Sequence, residues 1–185
     1  MKACFSRALP AMALFGITAF MAGCASNEPK PHFTRDIATD SRVSVSDTTQ
    51  VTVDTVGKVE MTPQEKTRLA QKIQLKVDDR KVANAGGGAG KNYDVELHLS
   101  RYEKGNAFAR AMLAGLGQIH IDGTVSVFAM PEHTLVGEFD LKKTFAWGGI
   151  YGAATSIETI EDTFADAVAA AVTGQQQQEP DKKKT

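Results

Sequence analysis

The sequence predicts an α+β fold in which two amphipathic helices cover one face of a largely antiparallel sheet of about four strands. Several stretches alternate apolar and polar residues, as strands with one buried face do. Two longer stretches repeat apolar residues every three or four positions, which is the pattern of an amphipathic helix. The elements follow the order β-α-β-β-β-α, which favours antiparallel pairing of the later strands with both helices on one side.

The first strand and the first helix lie between residues 43 and 83. Five valines set among Ser, Thr and Asp predict strand structure, interrupted at Asp47 and Thr48: Val43, Val45, Val51, Val53 and Val56. Thr62 is suited to cap the helix, Pro63 to occupy its first position, and Glu65 to complete a capping box. The helix should end near Ala83 and bury the residues that recur every four positions: Leu69, Ile73 and Val77.

Three further strands and a second helix follow. The strand around residues 93–99 alternates Tyr and aliphatic residues with polar ones, and residues 119–127 repeat the pattern. A turn at Pro131-Glu132-His133 leads into a fourth strand, Leu135 to Trp147, which closes a hairpin. The second helix begins at what looks like another capping box, Thr155-Ser156-Ile157-Glu158, and should stop at Gly174. Its buried face is predicted to be Ile157, Ile160, Phe164, Val168 and Val172.

The composition divides the chain into four parts. Residues 1–23 have the form of a signal peptide, 24–40 of an anchor and flexible tether, 41–174 of one domain, and 175–185 of a polar tail that cannot pack. The glycine-rich run at 84–91 reads as a connector, because a phosphate-binding loop requires Ser or Thr after Gly-Lys, and Asn92 follows here.

The export signal has a short basic start, given by Lys2 and Arg7, and an uncharged run from Ala8 to Gly23. That run is too short to cross a hydrocarbon core of about 30 Å comfortably. It ends in Met21-Ala22-Gly23-Cys24, which resembles a bacterial lipobox, although Met stands where Leu is commoner. An ordinary secretory signal or an N-terminal membrane helix is the alternative.

The lipobox resemblance implies that Cys24 becomes the first residue and carries a diacylglyceryl thioether and an N-acyl chain. Two or more acyl chains give stable membrane anchoring. Ala25 and Ser26 follow the cysteine in place of an Asp that would favour the inner membrane, which implies the outer membrane of a Gram-negative cell, with the domain facing the periplasm.

Charge and cysteine content exclude several classes of protein. The formal net charge is −1, and loss of Lys2 and Arg7 makes the mature chain more acidic, so nothing indicates a nucleic-acid partner. Cys4 leaves with the signal, and Cys24 alone cannot form an internal disulfide or a cysteine metal cluster.

The block from Tyr93 to Val172 resembles an uncharacterised bacterial lipoprotein family, domain of unknown function 4410. The residues that carry the resemblance are Gly105-Asn106, Arg110, Gly115-Leu116-Gly117, Val125-Ser126-Val127 and the Gly-Glu-Phe of 137–139. The family implies a lipobox followed by a small α+β domain, and it supplies no catalytic residues.

No pattern in the sequence predicts an enzyme or a cofactor. The Gly-x-Ser-x-Gly elbow is absent, and His32, His98, His120 and His133 lie at none of the usual metal-binding spacings. A metal site would require His98 and His120 to be strand neighbours with a carboxylate such as Glu96 or Asp122. Ordinary exposed histidines are the favoured interpretation.

Two glycine-rich apolar segments, residues 105–117 and 148–154, are expected to meet at one end of the sheet. If they do, seven residues come together in a candidate interaction patch: Phe108, Arg110, Met112, Leu116, Trp147, Ile150 and Tyr151. Aromatic residues and arginine are favoured at protein interfaces. The same residues could instead close the core, and the sequence leaves the two alternatives open.

The favoured functional hypothesis is a non-enzymatic structural or interaction module of the cell envelope. Its partners would be the membrane, through Cys24, and a protein of the envelope. The alternative is a periplasmic module that binds a small ligand or a metal.

Overall fold

The computed structural model describes residues 28–82, 89–113 and 116–175. The predicted signal peptide, Cys24 and the polar tail from residue 176 lie outside these ranges, as does most of the glycine-rich connector.

A five-stranded sheet with the order β1-β5-β4-β3-β2 forms the centre of the domain. Strands β3, β4 and β5 are neighbours in an antiparallel meander, β2 pairs with β3 in parallel, and β1 pairs with β5 antiparallel. The strand bounds, from β1 to β5, are His32–Arg35, Thr48–Thr55, Asn92–Glu103, Ile119–Met130 and Thr134–Phe145.

Two long helices pack on one face of this sheet, and two short helices lie at one of its ends. The long helices, α1 (Pro63–Arg80) and α4 (Ile157–Thr173), also pack against each other. The short helices, α2 (Ala107–Met112) and α3 (Gly149–Ala154), occupy the two glycine-rich segments. The α+β class and the two amphipathic helices are therefore as predicted.

The core lies between the sheet and the long helices. Alternate residues of the central strands point to the helices, and the register brings Leu97 opposite Val125 and Val125 opposite Phe139, all buried. The predicted helix faces are buried against them: Leu69, Ile73, Val77, Ile157, Ile160, Phe164, Val168 and Val172.

The sheet differs from the prediction in having a fifth strand and one parallel pair. Strand β2 leads into α1, whose 18 residues carry the chain back along the sheet, so that β3 starts at the same end as β2. A crossover of this length joins parallel strands, whereas antiparallel neighbours can be joined by a tight turn. The alternation of residues along β2 is the same in either direction, which is why the sequence could not reveal its orientation.

The additional strand, β1, corrects the range 24–40 assigned to a flexible tether. His32 pairs with Asp140 and Phe33 with Phe139, and the two phenylalanine rings lie 5.1 Å apart. Ile37 is buried and packs over Gly137, where an added Cβ would lie 2.2 Å from the isoleucine Cγ1. The strand is short, and Pro29 and Pro31 precede it, so no alternation is visible in the sequence.

The ends of the long helices follow the prediction in part. Thr62 forms the predicted capping box with Glu65, but α1 ends at Arg80, before Ala83. The capping box predicted for the second helix is wrong: α4 begins at Ile157, with Ser156 at the N-cap and no side-chain capping bond. Glu158 is then the second helical residue, one position too early for a capping box. Gly174 ends α4 in the left-handed conformation, with φ of 71°.

A buried carboxylate joins both long helices to the sheet. Glu161 on α4 is fully buried and accepts two hydrogen bonds from the Arg68 guanidinium of α1, at 2.9 and 2.8 Å. The Tyr102 hydroxyl of β3 donates to the same carboxylate at 2.7 Å. Burial, together with this bond, raises the pKa of Tyr102 far above its ordinary value. The hydroxyl therefore stays protonated and remains a donor.

Candidate functional site

The two glycine-rich segments meet, as predicted, at one end of the sheet. Strand β3 ends at Glu103, β4 begins at Ile119 and β5 ends at Phe145, and the antiparallel pairing places these three termini together. Helix α2 spans the connection from β3 to β4, and α3 follows β5. The two short helices are in contact with each other.

Arg110 holds the two segments together. Its Nε donates to the carbonyl of Gly152, one terminal nitrogen to Gly117 and the other to Thr155, each at 2.8 Å. The side chain is only 3% exposed. Of the two alternatives left open for the candidate patch, Arg110 therefore takes the buried one, because three backbone carbonyls bind its guanidinium inside the fold.

Two glycines let each segment fold closely on itself around Arg110. Gly117 has φ of +70°, and a Cβ there would lie 2.4 Å from the carbonyl oxygen of Asn106. A Cβ on Gly152 would lie 2.2 Å from the carbonyl oxygen of Trp147. Contacts this short would force backbone to move, so larger residues would distort the segment in which they stand.

Asn106 starts α2 in the manner of a helix cap. Its side-chain oxygen accepts a hydrogen bond from the amide of Ala109 at 2.9 Å, and its own amide donates to the carbonyl of Gly117 at 3.1 Å. The second bond closes the connection between β3 and β4 into a compact loop, so that α2 is fixed at both of its ends.

The other six residues of the candidate patch are all exposed, so they form a surface and do not close the core. Ile150 is 87% exposed, Tyr151 79% and Phe108 74%. Met112, Leu116 and Trp147 are each more than half exposed, and Leu113, which the sequence analysis did not include, joins them. We call these residues the apolar end surface: Phe108, Met112, Leu113, Leu116, Trp147, Ile150 and Tyr151.

The apolar end surface carries no exposed charge of its own. Between Lys104 and His120 the one charged residue is the buried Arg110, and between Lys143 and Glu158 there is none. The charge that precedes α2 is paired. Lys104 lies 2.6 Å from Glu65, and this bond holds the pKa of the Glu65 carboxyl below its ordinary value. The surface is thus uncharged, with an ion pair beside the start of α2.

The histidines do not assemble as the metal hypothesis requires. In the β3–β4 register, His98 lies opposite Thr124 and His120 opposite Glu103, so the two histidines are not neighbours. His120 Nδ1 lies 2.9 Å from the Thr144 hydroxyl instead. Within the described ranges, no group of three or more His, Cys, Asp or Glu side chains is placed to hold a metal ion.

Of the two carboxylates considered for that site, Glu96 lies beside His98 and also beside His133. Glu96 lies 3.5 Å from Nε2 of His98 and 3.3 Å from Nε2 of His133. The His133 ring stacks on Phe128 with centroids 4.0 Å apart. Asp122 is opposite Arg101 in the sheet.

Residues 36–149 match the family described as Domain of unknown function (DUF4410). The chain belongs to the DUF4410 family. The matched range includes α2 and Trp147 and ends as α3 begins, and a comparison with curated proteins gives no match. Membership confirms the resemblance seen in the sequence and assigns no activity.

Solved structures share the fold of this DUF4410 protein at low sequence identity. The dodecamer of a PelC variant from Paraburkholderia phytofirmans matches with a TM-score of 0.52 at 10% identity, over 80% of this chain and 99% of that one. A PelC dodecamer from the same organism in another crystal form gives 0.51 at 11% identity, over 78% and 97%. Protein XCC0632 from Xanthomonas campestris, of family DUF330, is less similar, with 0.47 at 14% identity over 80% and 96%. These similarities concern the fold alone.

No helix among the described residues of this DUF4410 protein is long and apolar enough to cross a membrane.

Sequence reasoning placed the two segments correctly and missed the role of Arg110. A lone arginine within an apolar, glycine-rich stretch could have given the signal, because a buried guanidinium requires several acceptors and glycines let carbonyls approach it. Leu113 was missed because helical spacing alone does not show which side of a six-residue helix faces solvent.

Proposed function

We propose that this protein is a lipid-anchored, non-enzymatic interaction module of the outer membrane, and that it contacts the periplasmic side of the envelope through the apolar end surface. The exposed side chains of α2 and α3 carry this proposal. Soluble monomers rarely expose large contiguous apolar patches, and those that do commonly use them as contact sites. Here the patch stands on backbone that Arg110 fixes from within.

The anchor is supported by the sequence alone. A short basic start, an uncharged apolar run and Met21-Ala22-Gly23-Cys24 have the order of a lipoprotein signal. Ala25 and Ser26 after the cysteine favour the outer membrane, with the domain on its periplasmic side.

Two buried charged groups support the proposal that this protein is not an enzyme, because both bind other parts of the fold. The Glu161 carboxylate is bound by Arg68 and Tyr102, and the Arg110 guanidinium by three carbonyls. Each of these groups joins elements of the fold, whereas a catalytic group must reach a substrate.

The PelC structures suggest one class of protein partner. PelC from Paraburkholderia phytofirmans is a dodecamer. We add the finer proposal that copies of this chain associate with one another. Light scattering on the acylated protein in detergent should then give the mass of an oligomer, whereas a monomer mass at all concentrations would contradict it.

The anchor is tested by Cys24→Ser. The variant should lose palmitate labelling and appear as unprocessed precursor or as protein free in the periplasm, whereas the natural chain should sediment with outer-membrane vesicles. Continued labelling of the variant would refute acylation at this residue.

The contact surface is tested by a photo-crosslinking amino acid placed in living cells at Ile150, with Leu75 on α1 as the matched control. Both positions are exposed, at 87% and 64%. Ile150 should crosslink to an envelope component and Leu75 should not. Equal crosslinking from both positions would argue against a specific surface.

The alternative of a small-ligand or metal-binding module is tested by thermal shift. A ligand that binds the folded state raises the melting temperature by mass action. We expect no rise with divalent metals or with a panel of small metabolites, and a concentration-dependent rise would favour the alternative.

A further inference from the structure

The direction of the N-terminal chain indicates where the anchor lies relative to the apolar end surface. Strand β1 runs antiparallel to β5, with His32 opposite Asp140. At His32 the chain therefore leaves β1 in the direction of Phe145, where α2 and α3 lie. Pro29 is buried, and Glu28 lies within electrostatic reach of Lys143 on β5 and of Arg80 at the far end of α1, so residues 28–31 stay against the helix-covered side of the domain.

The length of chain available allows the anchor to lie level with that surface. The five residue steps from Asp140 to Phe145 span about 17 Å along the strand. The eight steps from His32 back to Cys24 span up to about 29 Å when extended. Acyl chains on Cys24 can thus insert beside α2 and α3 while β1 remains in the sheet. The tether is too short to hold the domain far from the bilayer.

The composition of the surface suits a lipid interface. Trp147 and Tyr151 are the residue types enriched where membrane meets water. Phe108, Met112 and Ile150 are suited to the boundary between headgroups and acyl chains, which apolar faces enter by about 5–10 Å.

The contacts of Arg110 also make the apolar end surface compatible with lipid. Irregular backbone is not tolerated against hydrocarbon unless its polar groups have partners. The carbonyl of Gly152 lies within α3, those of Gly117 and Thr155 lie after α2 and α3, and each accepts a hydrogen bond from the guanidinium. The charge itself is buried, so the surface does not present it to the bilayer.

We propose that the apolar end surface docks on the bilayer that holds the acylated Cys24, inserting Phe108, Trp147 and Ile150 at the depth of the headgroups and upper acyl chains. This inference rests on the lipid anchor of the proposed function, and it identifies the bilayer as what the apolar end surface contacts. The anchor keeps the bilayer at a high effective concentration, so that a patch too small to bind membranes alone becomes occupied. The open face of the sheet then remains available to protein partners.

The only tryptophan of the chain, Trp147, reports directly on this contact. The acylated protein is reconstituted into vesicles of phosphatidylethanolamine and phosphatidylglycerol that contain lipids brominated on their acyl chains. Mass spectrometry first confirms the acyl chains on Cys24. We expect Trp147 emission to be quenched several-fold relative to vesicles without bromine, and shifted to shorter wavelength relative to the soluble Cys24→Ser protein.

A matched pair of variants separates docking from anchoring. Phe108→Ser combined with Ile150→Ser should restore several-fold more emission in brominated vesicles while the protein still sediments with them. Leu75→Ser removes another exposed apolar side chain, from α1, and should leave the quenching unchanged.

Three outcomes would overturn the proposal. Trp147 that is not quenched in an acylated, vesicle-bound protein would show that the surface faces away from lipid. Emission that shifts with protein concentration in detergent, and is not quenched by brominated lipid, would assign the surface to a second copy of the chain. A Cys24 that carries no acyl chain would refute the proposed anchor and this inference together.

Discussion

The guanidinium of Arg110 fixes the backbone at one end of the sheet, where the two short helices have few other means of staying folded. Helices of six residues are unstable alone, because a single helical turn fixes several residues for each hydrogen bond formed. Three bonds from one side chain replace the burial that longer helices provide. The apolar side chains of α2 and α3 are thereby left free to face outwards.

Arg110→Ala should therefore lower stability, although its neighbours are exposed. The change leaves three carbonyls without their donor, and each buried acceptor that loses its partner costs about 1–3 kcal/mol where water does not replace it. We expect a clear drop in melting temperature and a change in Trp147 emission. Phe108→Ala, in contrast, should alter the unfolding free energy by less than about 0.5 kcal/mol. An unchanged melting temperature for Arg110→Ala would mean that the carbonyl contacts contribute little.

Asp47 has a comparable role before β2, where the predicted interruption of the first strand lies. Its carboxylate accepts hydrogen bonds from the Ser44 amide and hydroxyl, at 2.8 and 2.7 Å, and from the Lys91 amide at 2.8 Å. Burial alone would raise the pKa of Asp47, but these bonds outweigh it, and the pKa is lowered. The carboxylate thus joins the turn before β2 to the chain entering β3.

Asp47→Asn should destabilise the domain by about 1.5–3 kcal/mol at neutral pH, as expected for lost bonds to a charged group. Because the folded pKa is below the unfolded one, the contribution is complete above about pH 4 and is lost as the pH falls through the folded pKa. Urea denaturation from pH 7 to pH 2 should show the natural chain and the variant converging at the acid end. The exposed Asp79→Asn serves as the control and should change stability little.

At the scale of elements, the structure matches the sequence-based prediction best in the two long helices. Each has an apolar stripe that is buried against the sheet, and the buried stripe of α4 is the broader one. The two helices also form ion pairs with each other. Arg80 pairs with Asp166 at 2.6 Å, and Lys72 with Asp162 at 2.9 Å. The spacing of apolar residues predicts which face is buried, but charges on the other face do not show their partners.

Phe164→Ala should cost about 3–5 kcal/mol of unfolding free energy, because the side chain is fully buried between α4 and the sheet. Chemical denaturation of the purified domain measures the loss. Thr159→Ala on the exposed side of the same helix should stay within about 0.5 kcal/mol of the natural chain. A loss below about 1 kcal/mol for Phe164→Ala would mean that α4 does not pack as described.

At the scale of the whole molecule, β1 joins the part of the chain before residue 41 directly to the sheet. The edge of β5 is paired through His32 and Phe33, and Ile37 covers Gly137. A domain that began at residue 41, as the sequence suggested, would lack these contacts. Residues 32–35 and Ile37 are therefore part of the folded domain.

The chain 41–175 should be less stable than the chain 28–175. Loss of the Ile37 side chain alone should cost about 2–5 kcal/mol, as for other buried isoleucines. The free edge of β5 adds to the loss and exposes unpaired backbone. Urea unfolding should show a lower midpoint for the shorter chain, and Ile37→Ala in the longer chain should reproduce much of the difference. Equal midpoints would instead support the prediction that residues 24–40 form a flexible tether.

The order of residues was enough to predict the fold class, the faces of the long helices and the meeting of the two glycine-rich segments. The first two depend on periodicity, which is a local property of the chain, and the third on the reversal of direction between β3, β4 and β5. Folding in three dimensions decided the parallel pairing of β2, the presence of β1 and the position of Arg110. Each of these depends on partners distant in sequence: β3 for β2, Phe139 for Phe33, and three carbonyls for the guanidinium. A stretch of sequence in which one charged residue stands among apolar ones looks the same whether that residue faces solvent or backbone acceptors. Only the folded chain brings the acceptors to it.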